Sequence, residues 1–214
     1  MFIFTLKSKI MKEINLLLFC FLTAFSAFSQ LKIKDAAPLS DVKMKNVDGT
    51  EITLKDAKGE KGLIVIFSCN TCPFVVGTPD FPGWERQYNE IAKLAKENNI
   101  NVVLVNSNEA KRANADSFEE MQKRAKEQSY SMPYLVDTDS KVANAFGAKT
   151  TPHIYFFDSN LNLIYTGSID NIWDNKRKTD VPYLKNAIQA VGSGKKIKED
   201  NTAPKGCSIK RVQQ

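Results

Sequence analysis

The sequence predicts an α/β sandwich: a central mixed β-sheet flanked by helices and preceded by a hairpin at its N-terminal edge. Three observations carry the prediction. The uninterrupted apolar run Gly62-Leu63-Ile64-Val65-Ile66-Phe67 has the length of a strand covered on both faces. Segments with strand and helix periodicity then alternate, as they do where helices cross over a sheet. Toward the C-terminal end, two strand-like runs are separated only by a turn, which makes part of the sheet antiparallel.

In chain order, Val42 to Val47 and Glu51 to Leu54 flank Asp48-Gly49, a dipeptide that favours tight turns. The buried run then delivers the chain to Cys69. Trp84, Tyr88, Ile91 and Ala95 recur at helical spacing. Before them, Gly77-Thr78-Pro79-Asp80-Phe81-Pro82-Gly83 interrupts the first helix, because two prolines and two glycines in seven residues do not continue one. That segment is expected to shape a substrate groove. Asn101 to Val105 reads as another strand. Ser117 with Glu120 forms a capping box ahead of Phe118, Met121 and Ala125 on one helical face. Pro133 to Val136 is a short strand. Asp139 is expected to cap a brief helix through Val142 and Phe146 that stops at Gly147. Ile154 to Phe157 and Leu163 to Tyr165 form a second hairpin around Ser159-Asn160, and Asp180 opens the last helix, with Leu184, Ile188 and Val191 buried. From residue 193 the chain turns polar and Lys-rich without core periodicity. Residues 31–192 therefore read as one domain and 193–214 as a tail carrying Cys207.

The first thirty residues differ from the rest. Met11-Lys12 begins a charged stretch, Leu16 to Leu22 is apolar throughout, and small residues follow at Ala24, Ser26, Ala27 and Ser29. This is the pattern of a secretory signal peptide over residues 1–30, with Ala27-Phe28-Ser29 placing cleavage near Ser29 or Gln30. Leu16 to Phe28 spans 13 residues, short of the ~20 that cross a bilayer as a helix, so stable membrane insertion after cleavage is not expected. The expected location is periplasmic or secreted.

The 214 residues (24.0 kDa), 43% hydrophobic and 25% charged, have the composition of one ordinary folded domain. Thirty basic against 24 acidic residues give a net charge of +6, and loss of Lys7, Lys9, Lys12 and Glu13 with the leader leaves +4. The positive residues are dispersed. Their densest cluster, Lys176-Arg177-Lys178, is short and lacks aromatic interleaving, so no nucleic-acid partner is expected. Export would leave Cys69, Cys72 and Cys207 where thiols meet oxidants.

Cys69-Asn70-Thr71-Cys72-Pro73 is a C-x-x-C pair placed where a buried strand gives way to a helix. Two intervening residues let the sulfurs close a small ring, and the N–H groups and positive dipole end of a helix favour a thiolate. Cys69, at the strand tip, is expected to attack a substrate disulfide, and Cys72, more shielded in the first turn, to resolve the mixed disulfide. Two other uses of these residues stay open. A purely structural disulfide is one, although so small a loop constrains the unfolded chain weakly. A zinc site is the other: Cys69, Cys72, Cys207 and the single histidine, His153, reach four ligands by count, without a second closely spaced pair.

Thr150-Thr151-Pro152-His153 leads into the strand Ile154 to Phe157. A strand ending in C-x-x-C-P with a later Thr-Pro opening a strand resembles the thioredoxin superfamily, over nearly all of the chain beyond the leader. Within it, Phe67-Ser68-Cys69-Asn70-Thr71-Cys72-Pro73-Phe74-Val75, Asn106-Ser107-Asn108, Met132-Pro133-Tyr134-Leu135-Val136-Asp137 and Gly206-Cys207-Ser208-Ile209-Lys210 are similar to the peroxiredoxin-like redoxin subgroup. That subgroup is grouped by sequence with the alkyl hydroperoxide reductase and thiol-specific antioxidant proteins, while the C-x-x-C looks more like that of a thiol–disulfide oxidoreductase.

The resemblance implies a thioredoxin-like fold and a cis bond before Pro152 that lies against the cysteines and turns the Thr151 backbone toward substrate. An extended substrate segment would then pair with that backbone. It also implies exchange with protein thiols or disulfides and with a redox partner protein; no dissociable cofactor is required. His153 would act on the thiols only if it faces them, and a lone histidine at a strand start is more often a satisfied side chain. Cys207 is an auxiliary thiol, open to pairing with Cys69, with Cys72 or with a partner protein.

The sequence departs from the family in several places. Thioredoxin carries Trp-Cys-Gly-Pro-Cys where Ser68, Asn70 and Thr71 stand here, so its potential does not transfer. Its buried acid would fall in the strand before Cys69, yet residues 63–67 carry no carboxylate. A typical peroxiredoxin has Thr or Ser three residues before its peroxidatic cysteine, whereas Ile66 precedes Cys69 by three and Cys69 precedes Cys72 by three. Thiol peroxidase activity therefore ranks behind disulfide exchange. A metal-binding or carrier module would need further soft or imidazole ligands, and Met121, Met132 and His153 show no clustered pattern.

Overall fold

The structure, a computed structural model, describes residues 29–212, so the signal-peptide reading lies almost wholly outside the described residues. The chain begins its sheet with β1 (Met44–Asn46) and β2 (Glu51–Ile52), an antiparallel hairpin in register Met44 to Ile52. Gly49 holds φ at +90° in the turn, the conformation for which glycine is suited. A short helix α1 (Leu54–Ala57) leads to β3 (Gly62–Ser68), in which all seven residues are buried.

After the cysteines come α2 (Pro73–Val76), α3 (Tyr88–Glu97), β4 (Ile100–Asn106), α4 (Phe118–Glu127), β5 (Tyr134–Val136) and α5 (Lys141–Phe146). Next are β6 (Thr150–Thr151), β7 (His153–Asp158), β8 (Leu163–Gly167), α6 (Tyr183–Gly192) and β9 (Cys207–Ser208). The main sheet has the order β2-β1-β5-β4-β3-β7-β8. Strands β3, β4 and β5 run parallel, and β7 and β8 close one side antiparallel, as the second hairpin requires. The predicted mixed α/β sandwich with an N-terminal hairpin is the observed architecture.

Alternation along β3 divides the core in two. Ile64 and Ile66 face Trp84, Tyr88 and Ile91 from the α3 region, Met121 from α4 and Leu184 and Ile188 from α6. Leu63, Val65 and Phe67 face Leu54 of α1 and Val142 and Phe146 of α5. The two cysteines of the C-x-x-C belong to the first of these clusters. No helix among the described residues is long and apolar enough to cross a membrane.

Three local expectations are corrected. Asp139 does not cap α5; it holds a positive φ of 57°, and the Asp137 carboxylate accepts from the N–H groups of Val142 and Ala143, each at 2.9 Å. Asp180 does not open α6, because it pairs with Arg177, and the helix starts after Pro182 with Val191 only half-buried. Ser117 accepts from the Glu120 N–H at 3.2 Å, one half of the expected capping box. The interruption after α2 is as expected: Gly77 ends the helix at φ +94°, and Phe81 folds back onto Phe74 and Trp84 with ring centroids 5.7 and 5.1 Å apart.

The segment after residue 192, set apart as a tail from its composition, lies against the domain as an extended strap. It runs beside β8, where Thr166 donates to Asp200 O and Thr202 to Thr166 O, both at 3.0 Å. It then pairs with β6 as β9 and returns to α5, where Arg211 donates to Asn144 and to the Ala148 carbonyl, both at 2.6 Å. It is held by backbone and side-chain hydrogen bonds, and Ile209 is its one deeply buried apolar side chain, so it shows no hydrophobic period.

Candidate active site

Strand β3 ends at Ser68 and sets Cys69 at its tip, and Cys72 stands at the N-cap of α2 with Pro73 behind it. Both sulfurs converge on Thr151. Cys69 Sγ lies 3.2 Å from the Thr151 hydroxyl, and the Cys72 thiol donates to the Thr151 carbonyl at 3.1 Å. The Thr151–Pro152 bond is cis, and both residues are buried. The cysteines are free, buried thiols, and their neighbours Thr71 and Pro73 are exposed.

The sequence argument gave Cys72 the more shielded place and credited the helix with stabilising a thiolate. In the structure Cys69 is 2% exposed and Cys72 5%, and α2 is only four residues long. The charge settles through the sulfurs themselves. The Cys69 S–H, directed at Cys72, lowers the Cys72 pKa to about 5, with further help from the side chain and backbone of Cys207. The hydrogen bond to the Thr151 carbonyl acts in the opposite sense and favours a protonated Cys72. Cys69 is pushed well above the usual thiol range, first by donating to Cys72 and then by burial. The two directions together favour one thiolate and one thiol in the reduced pair.

A polar network that the sequence reading missed supports the C-x-x-C loop. The Asp116 carboxylate, fully buried, accepts from the Asn70 N–H at 2.9 Å, from Asn106 Nδ2 at 2.7 Å and from Asn108 Nδ2 at 3.0 Å. Tyr134 donates to the Asn70 side-chain oxygen at 2.9 Å. Asp116 is a carboxylate near Cys69, contributed by the loop after β4 rather than by the strand before the cysteines. Asn106 and Asn108 stood in a motif noted for its resemblance alone; Asp116 had no signal in the sequence.

His153 does not join this group. It is fully buried, its Nδ1 accepts from the Lys149 N–H at 3.3 Å, its Nε2 lies 3.4 Å from the Thr166 hydroxyl, and its ring packs on Tyr155. Burial lowers its pKa to about 3, so it is neutral. The Cys₃His set counted from the sequence is therefore not assembled, and among the described residues no group of three or more His, Cys, Asp or Glu is arranged to hold a metal ion.

Cys207 does join. β9 pairs antiparallel with β6 in register Thr151 to Cys207, so its backbone takes the Thr151 edge expected to receive substrate. Cys207 is half-buried against the cluster that contains Cys69 and Cys72, and burial together with Cys72 pushes its pKa up to about 11. Lys205, two residues earlier, sits over the rings of Trp173 and Phe74, 4.9 and 5.7 Å from their centroids.

No curated protein matches the chain. Among solved structures it is similar to an uncharacterized conserved protein from Geobacillus kaustophilus, with 31% identity and a TM-score of 0.73 over 87% of this chain and 95% of that one. More distant likenesses, which bear on the fold alone, include the peroxidoxin BcpB from Mycobacterium tuberculosis (15% identity, TM-score 0.55, 77% and 98% covered). Another is the thioredoxin domain of a thiol-disulfide oxidoreductase from Bacteroides vulgatus (16%, TM-score 0.52, 75% and 97%). The AhpC/TSA family model matches residues 33–166, which include β3, both cysteines of the C-x-x-C and the cis proline. By that match the chain belongs to the AhpC/TSA family, within the thioredoxin-like redoxins.

Proposed function

We propose that the chain is an exported thiol–disulfide oxidoreductase that exchanges disulfides with protein substrates through Cys69 and Cys72. The observation that carries this reading is the convergence of the two free thiols on Thr151 beside the cis proline, with Cys69 Sγ 3.2 Å from its hydroxyl and Cys72 Sγ 3.1 Å from its carbonyl. Cys72 takes the attacking role that the sequence argument gave to Cys69. Its thiolate attacks one substrate sulfur, a mixed disulfide forms, and the other substrate sulfur leaves as a thiolate that takes the Cys69 proton. Cys69 then attacks Cys72 Sγ and releases the second substrate sulfur, so the substrate gains two electrons and the pair becomes a disulfide. Run backwards, the same steps oxidise a dithiol.

A thiolate with a pKa near 5 stabilises the reduced form and so raises the potential above that of thioredoxin, about −270 mV. Titration of residues 31–214 against glutathione, with each disulfide assigned by mass spectrometry, is expected to show a reversible Cys69–Cys72 pair between roughly −200 and −120 mV. A pair that resists reduction below about −300 mV would make the disulfide structural and sink the proposal. Family membership and the Thr151 hydroxyl beside Cys69 favour a second reading, hydroperoxide reduction by the same pair. Stoichiometric consumption of hydroperoxide with no turnover of a protein disulfide would select it. Export rests on the apolar run Leu16 to Leu22 and the Ala27-Phe28-Ser29 pattern. The mass of the chain recovered from the extracytoplasmic fraction should begin at residue 30 or 31, and an intact Met1 or Met11 there would contradict cleavage.

A further inference from the structure

We propose that Cys207 is the third thiol of a relay, which takes the disulfide from Cys69–Cys72 onto Cys72–Cys207 and presents it to a reducing partner thiol. The inference rests on the exchange reading above and adds the route by which electrons enter the site. It stands on placement. Three cysteines from two distant parts of the chain converge on Thr151: Cys69 on its hydroxyl, Cys72 on its carbonyl and Cys207 on its backbone as the β-partner. Cys69 and Cys72 are almost fully enclosed, and Cys207 is the one of the three with appreciable exposure.

The strap is fitted to that place. A Cβ on Gly206 would stand 2.2 Å from the Thr151 carbonyl oxygen and 2.6 Å from its carbon, so only glycine lets β9 approach β6 this closely. On either side, Lys205 is held over Trp173 and Phe74, and Ile209 is buried in the second core. The strap therefore lies as a substrate strand would, with its own cysteine in register.

In the relay step, Cys207, losing its proton, attacks Cys72 Sγ. The Cys72–Cys207 bond forms, the Cys69–Cys72 bond breaks, and Cys69 leaves as the thiolate and takes up a proton. Nothing is oxidised or reduced overall. A partner thiolate then attacks the half-exposed Cys207 sulfur and releases Cys72 as the thiolate that the site favours. A second partner thiol resolves the mixed disulfide, so the partner dithiol is oxidised and the site is reduced by two electrons. The ionisation of Cys207 fits this order. Burial holds its pKa up throughout, but the further suppression by reduced Cys72 is lost once Cys72 is in a disulfide, while the Phe74 backbone and Lys210 continue to favour the Cys207 thiolate.

The test is disulfide mapping of the full exported chain equilibrated with glutathione and its disulfide, comparing wild type with Cys69→Ser and with Cys69→Ser/Gly206→Val. In Cys69→Ser the expected product is a Cys72–Cys207 disulfide in most of the oxidised protein. Gly206→Val, which dislodges β9 while keeping both thiols, should lower that product at least tenfold in favour of glutathione adducts. The relay is overturned if Cys69→Ser leaves Cys207 alkylatable while Cys72 carries glutathione, or if the Gly206 variant forms the pair equally well. Wild type separates the two readings: a reversible Cys69–Cys72 disulfide with no Cys72–Cys207 in the variant removes the relay alone, whereas its absence removes both. Should Cys69→Ser not fold, wild type at intermediate glutathione ratios is mapped instead. Both isomers are then expected, and Cys69–Cys72 alone overturns the relay.

Discussion

In the proposed exchange Cys72 carries the negative charge of the reduced site, because Cys69 donates to it, with help from Cys207, and lowers its pKa to about 5. The consequence is a proton count that experiment reads directly. Between pH ~5 and the raised pKa of Cys69, reduction of the disulfide takes up two electrons and one proton, so the potential should fall by about 30 mV per pH unit, steepening to about 59 mV below pH 5. Alkylation of reduced wild-type protein should label Cys72 first, with a midpoint near pH 5, the rate dropping as acid protonates the thiolate. A midpoint near the ordinary thiol value, or first labelling at Cys69, would reverse the assignment of roles. The sequence showed where the pair would lie, since a buried strand ending in C-x-x-C-P has few other uses. The order of ionisation was not legible there, because it depends on which sulfur faces Cys207 and on Asp116, forty-four residues beyond the pair and visible only once β4 brings its loop behind Asn70.

At the scale of elements, helices α3 and α4 are joined by a buried ion pair. Glu85, in the turn before α3 and 7% exposed, accepts from Arg124 of α4 and from the Tyr130 hydroxyl. Both guanidinium donors and the phenol meet the same carboxylate, which raises the Arg124 pKa and leaves Glu85 with no aqueous alternative. Arg124→Ala should therefore cost about 3 kcal/mol, the penalty of a buried charge left without its partner. Urea unfolding measures it, and a loss under about 1 kcal/mol would class the pair with exposed bridges. Glu85 and Arg124 are thirty-nine residues apart and no local pattern links them, which is why the sequence missed the pair. Elements with a local cause were legible: the Asp48-Gly49 turn, the apolar β3 and the Gly-Pro break after α2 all formed where expected. The α5 cap is Asp137 rather than the expected Asp139 because two residues with positive φ, Asp139 and Ser140, insert a turn between the capping carboxylate and the helix.

At the scale of the whole molecule, the strap makes the last twenty described residues part of the cooperative unit. Composition alone argued otherwise, since hydrophobic periodicity marks a segment that buries a face, whereas this one is held by hydrogen bonds and a single deeply buried isoleucine. Its removal leaves specific losses. Without residues 200–214, Thr166 N–H and Thr151 lose their backbone partners, the Thr202 hydroxyl no longer accepts from the Ser168 N–H at 2.9 Å, and the Ile209 site opens. Burial of one isoleucine is worth about 2–5 kcal/mol and each orphaned buried polar group about 1 kcal/mol or more, partly offset by water entering the vacated edge. A net loss on the order of 3 kcal/mol follows, as a lower urea midpoint within one transition. The same truncation uncovers Thr151 and the C-x-x-C, so alkylation of Cys72 should accelerate at least tenfold even though the Cys207 contribution to its thiolate is gone. An unchanged midpoint together with an unchanged labelling rate would mean that the strap neither stabilises the domain nor covers its thiols. A lower midpoint with unchanged labelling would make it a structural brace alone. The expected outcome, both changes at once, would show that one segment stabilises the fold and controls access to its thiols.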